Sequence, residues 1–114
     1  MYAKRISFLL LLGLFSCKEA KVQPPADVIQ QKEMVQVLAD VHIADAVVEK
    51  RSSPEKPDTA LTAAMYSEIF RIHHISRNDF YKSYHFYERH PELMNEMYPD
   101  VINELSRRQA ELAK

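Results

Sequence analysis

Five histidines in 114 residues are the first groups whose chemistry invites a reading: His42, His73, His74, His85 and His90. A zinc site needs several such ligands on one face at a defined spacing. The chain has no His-x-x-x-His or His-Glu-x-x-His run, and Cys17 is its only cysteine. His73 and His74 are adjacent and diverge by about 100° on a helix. We therefore read the histidines as helix-end and surface groups, and assign no metal site.

Carboxylates and aromatics are the next candidates. Asp40 and Asp45 lie in a largely apolar stretch, where a buried pair could do acid–base work. Five residues apart, they do not share a helix face well, so solvation or pairing with a base such as Arg71 is the expectation. Tyr66, Phe70, Phe80, Tyr81, Tyr84, Phe86, Tyr87 and Tyr98 could line a ligand or glycan pocket. Their helical spacing points instead to a core with tyrosines at its margin, each phenol seeking a partner or water. No Gly-x-Ser-x-Gly run and no second cysteine supply a nucleophile, so the sequence reads as that of a non-enzyme without a cofactor.

Composition narrows the classes further. The formal charge is -1, and without residues 1 to 16 it becomes -3, because Lys4 and Arg5 go with them. A mildly acidic chain without a basic stripe gives no electrostatic reason to expect nucleic acid. Gly13 is the only glycine. Phosphate loops and dinucleotide fingerprints need glycine where the backbone approaches the ligand, so both are excluded downstream of it.

The first seventeen residues carry an address. Lys4 and Arg5 precede a ten-residue apolar run, Ile6 to Phe15, interrupted only by Ser7 and Gly13; small Ser16 then precedes Cys17. At about 1.5 Å per helical residue, this run is far shorter than the roughly 30 Å hydrocarbon layer and reads as an export signal. Leu14-Phe15-Ser16-Cys17 resembles the bacterial lipobox, which implies cleavage before Cys17 and lipidation (diacylglyceryl, palmitate-type chains) of that cysteine. The chain is then expected to be a lipoprotein held at a membrane through Cys17. Lys18-Glu19 lacks the aspartate of inner-membrane retention, which favours the outer membrane of the cell envelope. It also partly matches a Lys-acidic-acidic surface-export signal that Ala20 breaks, so periplasmic and surface faces both stay open.

The elements that must position these groups follow from apolar spacing. The expected organisation is a signal peptide at 1–16, a lipidated cysteine and flexible tether with Pro24-Pro25 at 17–27, and a helical domain at 28–114. The first helix spans Val28 to Lys50 on a stripe of Met34, Leu38, Val41, Ala44 and Val48, with a strand as a competitor because Val35, Val37, Val41 and Ile43 alternate with polar residues. Asp58 caps a second helix carrying Leu61, Met65, Ile69 and Ile72. Ser76-x-x-Asp79 opens a third, which presents Phe80, Tyr84 and Tyr87 beside Ser83. His90-Pro91 separates it from a fourth with Met94, Tyr98, Val101, Leu105 and Leu112. Pro99 either kinks or splits that helix; we favour the kink, because the stripe stays in phase. The mixed charges of Glu104 to Lys114 read as a solvated face. The fold class is all-α: a small bundle of about four helices.

The stretch Met34-Val35-Gln36-Val37-Leu38-Ala39-Asp40-Val41-His42-Ile43-Ala44-Asp45-Ala46 resembles the opening helix of Domain of Unknown Function 4296, small lipoproteins of Bacteroidota-type bacteria. Tyr66, Ile69, Phe70, His73, His74-Ile75-Ser76 and then Phe80-x-x-Ser83-x-x-x-Tyr87-x-x-x-Pro91 carry the rest of that resemblance, which spans nearly all of residues 30 to 112. It implies a lipoprotein signal followed by a helical domain and brings no catalytic or binding residue with it. Asp40, His42 and Asp45 are the candidate polar network, read first as an interhelical hydrogen-bond network and second as a functional site. Two functions from different classes follow. One is a noncatalytic accessory module that docks an unidentified protein partner. The other is a small-molecule or metal-binding protein using the Tyr/His-rich helices.

Overall fold

The chain turns before it coils. In the computed structural model, which describes residues 20–114, the Val28 amide closes a turn onto the Pro25 carbonyl. Val28 and Ile29 are already buried, although helix α1 begins only at Gln31. The expected helix start at Val28 is therefore three residues early. The two residues pack as a lead-in ahead of Gln30, whose extended backbone (φ -70°, ψ 154°) sets the start of the helix.

Four helices follow: α1 Gln31–Arg51, α2 Thr59–Ile72, α3 Arg77–Glu88 and α4 Pro91–Leu112. There is no strand among the described residues; Ser53 and Lys56 form an isolated bridge in the loop after α1. Their Ser-x-x-Lys spacing serves a turn, in which Ser53 Oγ accepts from the Lys56 backbone amide at 3.2 Å. The α1 stretch is a helix despite its valines because burial falls at Met34, Val37, Leu38, Val41 and Ala44, the spacing of one helical face. Val35 and Ala39 widen that face. The extra width matches the position of α1, which packs against both α2 and α4, while α3 completes the ring against the same two helices.

Local chemistry sets the helix ends. Asp58 caps α2 by accepting from the Leu61 amide at 2.9 Å. Ser76 and Asp79 form a reciprocal capping box at the start of α3. Pro91 supplies the first residue of α4, where its missing N–H is no loss. Pro99 lies inside α4, which continues through it as one helix. The α2 helix closes without glycine. His74 takes a positive φ of 53°, the Ile75 amide reaches back to the Phe70 carbonyl at 3.0 Å, and the His74 amide bonds to the Arg71 carbonyl at 3.3 Å. This is a Schellman closure with histidine in the left-handed position that glycine usually fills.

The core draws on all four helices: Met34, Val37 and Leu38 meet Ile69 and Phe70, Phe80 and Tyr87, and Leu93, Met97 and Val101. Burying each large side chain contributes about 1.5–3 kcal/mol before entropy is counted. The face of α4 differs from expectation. Leu93 and Met97 are fully covered, whereas Tyr98 is 42 % and Leu112 89 % exposed. In α2, Ile72 is exposed and Phe70 takes the buried place beside Ile69.

Candidate functional site

Asp40 and Asp45 are five residues apart on α1, and the helix turns them toward different neighbours. Asp40 stands where the C-terminal ends of α2 and α4 converge. Its Oδ2 lies 2.6 Å from Nε2 of His73, the residue that ends α2, and its Oδ1 accepts from the Arg108 guanidinium. The same guanidinium donates to Glu104 at 2.7 Å and to Gln36 Oε1 at 3.2 Å. Arg108 thus ties α1 to α4, and His73 ties α1 to α2. The side chains of Asp40, His73 and Arg108 are only 15–27 % exposed, so the pairing of Asp40 with Arg108 is structural in character. Arg107 and Arg108 together hold the Glu104 carboxyl at about 2, well below its usual range, with the Arg107 hydrogen bond the larger cause. The C-terminal charges are therefore not simply a solvated face.

Asp45 looks into a different part of the molecule. Its Oδ1 accepts from the Tyr66 phenol at 2.8 Å. The two residues share a cavity of about 240 Å³ with Leu38, Val41, His42, Phe80, Tyr81, Tyr84 and Tyr98, so every helix contributes to its wall. The rings meet at varied angles around Phe80. Tyr84 stacks on it at 5.9 Å and 28°, Tyr66 stands edge-on at 6.4 Å and 85°, and Tyr81 stands edge-on at 5.2 Å and 71°. His42 lies 6.5 Å from Tyr98 across the opening. Burial, then the Asp45 hydrogen bond and charge, push the Tyr66 phenol well above its ordinary range. Burial also raises Tyr84. Both remain protonated donors at neutral pH.

The expected trio of Asp40, His42 and Asp45 is therefore divided. Asp40 belongs to the Arg108–His73 network, Asp45 and His42 belong to the aromatic cavity, and no bond joins the two groups. Arg71, the anticipated partner, pairs instead with Glu68 on its own helix. The aromatic group also divides, because Phe70, Phe80 and Tyr87 are buried while Tyr66, Tyr81, Tyr84 and Tyr98 rim the cavity with Phe80 behind them. His85 lies outside it and pairs with Glu88 on the surface. No group of three His, Cys, Asp or Glu side chains is arranged to hold a metal among the described residues.

Another polar arrangement fastens the lead-in segment to α3. The Ile29 amide donates to Ser83 Oγ at 2.9 Å, and the Tyr87 phenol donates to the Ile29 carbonyl at 2.7 Å. The Ser83 hydroxyl in turn donates to the Asp79 carbonyl at 2.7 Å. Asp27 pairs with Lys82 and Lys21 with Glu96 along the same path. Burial pushes the Tyr87 phenol up to about 12, so it donates throughout the neutral range. Tyr87 is fully buried, well inside the margin expected for the tyrosines.

The described residues form an all-helical bundle, in which serine and tyrosine one turn apart on α3 receive the chain that leads into α1. The family model described as Domain of unknown function (DUF4296) matches residues 25–111, and the chain belongs to that family. No curated protein and no solved structure matches it.

Proposed function

We propose that this chain is a lipid-anchored envelope protein, held at the outer membrane through Cys17, whose helical bundle is a noncatalytic module that docks a protein partner. Support for the anchor comes from the Leu14-to-Cys17 lipobox resemblance and the proline-bearing residues that follow it. Cys17 and the signal segment lie outside the described residues. The observation that carries the docking reading is an apolar face on α1 and α2. Ile43 and Ile72, 40 % and 54 % exposed, border a shallow groove with Ala44, Ala64 and Met65. Side chains of this kind gain by being covered, and a partner helix or loop would cover them. The noncatalytic part is favoured because Asp40 and Glu104 are already matched by arginine, and Asp45 accepts from the Tyr66 phenol.

The test has two arms in intact cells. Cys17→Ala should abolish radiolabelled fatty-acid incorporation and leave a larger precursor; unchanged labelling overturns the anchor. A photo-crosslinking residue at Ile72 should give one adduct of defined size that Ile43→Glu removes, whereas monomer alone overturns the docking face.

A second reading, a small-molecule binding protein, is favoured by one specific feature: the cavity in which Tyr66 and Tyr84 stand beside Asp45. Saturable binding that shifts the resonances of those tyrosines would support it.

A further inference from the structure

The aromatic cavity has an unusual balance of charge. Asp45 is the one carboxylate in its wall, and no lysine or arginine lines it. No Lys, Arg or His nitrogen lies within ion-pair distance of Asp45 among the described residues, in contrast to Asp40, which Arg108 neutralises. The Tyr66 phenol occupies one oxygen of Asp45. Around that carboxylate stand four tyrosine rings, whose faces carry the negative side of the ring quadrupole. Asp45 is exposed at the mouth of the cavity, so an anion would meet charge repulsion on entry and a purely apolar ligand would gain nothing from the carboxylate. A weakly hydrated organic cation satisfies both the charge and the rings. The volume, about 240 Å³, lies below the roughly 300–1,000 Å³ of sites for drug-sized ligands and suits a single head group.

We propose that this cavity binds the ammonium group of a small alkylamine or quaternary amine, with Asp45 as the countercharge and Tyr66, Tyr81, Tyr84 and Tyr98 as the aromatic walls. The inference rests on the small-molecule reading above and is independent of the docking face on α1 and α2. Tyr81 and Tyr98 are the exposed walls, and Asp45 and His42 beside them are exposed as well, so the amine enters from that side.

The test is a titration of the full-length chain in a nonionic micelle, following tyrosine ring resonances. The probes are choline chloride and its neutral isostere, 3,3-dimethyl-1-butanol. Choline should bind saturably and about tenfold more tightly than the alcohol. Asp45→Asn, which keeps an acceptor for Tyr66, should weaken choline about fivefold or more without changing the alcohol. Tyr98→Leu, at an exposed position, should weaken choline while the helical circular dichroism stays unchanged. Glycerophosphocholine separates the sources of the amine: binding at least as tight as choline assigns a lipid head group, and weaker binding assigns a free amine. If the alcohol matches choline at the same resonances, the cation inference is overturned while the small-molecule reading survives. If neither probe shifts Tyr66, Tyr84 and Tyr98, both are overturned.

Discussion

The phenol of Tyr87 donates a hydrogen bond to the backbone carbonyl of Ile29 across 2.7 Å, in a buried setting and 58 residues along the chain. Ser83, one turn earlier on α3, accepts from the amide of the same residue at 2.9 Å. Ile29 sits outside any helix, so its two polar backbone groups have no ladder to join. Two side chains at i and i+4 on α3 perform that office.

Removing either partner strands a buried group. Tyr87→Phe should lower unfolding stability by about 1–3 kcal/mol through the orphaned Ile29 carbonyl, and Ser83→Ala by a similar amount through its amide. Because both act on one residue, the double variant should lose less than the sum. Urea denaturation of the four proteins checks this; strict additivity would show that Ile29 is not their common target.

Arg108 joins α4 to α1 through Asp40, Glu104 and Gln36. Arg108→Ala should destabilise by about 1–3 kcal/mol, since it removes charge-assisted bonds and leaves Asp40 with His73 alone. Arg108→Lys should recover less than half of the loss, because an ammonium cannot span three acceptors as a planar guanidinium does. Equal melting temperatures for wild type and the lysine variant would reduce the network to a simple charge.

Acid should weaken the fold partly through Glu104. Its carboxyl is held at about 2 in the folded chain, against an ordinary value of 4.5. A depressed carboxyl contributes its full stabilisation above the unfolded value, and that contribution is lost as pH falls from about 4.5 toward 2. In Glu104→Gln the decline of the urea midpoint between these pH values should be shallower than in wild type. Parallel declines would exclude Glu104 as a source of the acid sensitivity.

His74 closes α2 with φ at 53°, a conformation glycine adopts without steric penalty. His74→Gly should therefore stabilise the protein by about 1 kcal/mol, and His74→Val should destabilise it. Thermal unfolding measures both changes. A glycine variant that melts lower would mean that the imidazole makes a contribution larger than the backbone relief.

Much of this architecture was legible in local chemistry. Asp58, Ser76 with Asp79, and His90-Pro91 mark three helix starts that the structure bears out. The phase of α4 was harder to read, because Leu93-Met94 and Met97-Tyr98 are adjacent apolar pairs and either member can head a helical stripe. Packing against α1 and α3 selects Leu93 and Met97, and frees Tyr98 for the cavity. Tyrosine and Asp45 were visible as candidates, but not the wall they form, since it takes one face from each helix. Arg108 gave no signal at all. Its bond to Asp40 spans 68 residues, and an arginine among glutamates looks the same in sequence whether it meets water or a distant carboxylate.

The fastening of Ile29 to α3 also has a mechanical consequence. Tension applied along the segment before α1 would reach Asp27–Lys82 and then the Ser83 and Tyr87 bonds before it reached the first turn of the helix. Those bonds engage a helix late in the chain, so α1 would be shielded from unzipping by a contact that its own sequence does not contain. Load on the leading end would be carried into the body of the bundle instead of peeling it from the edge.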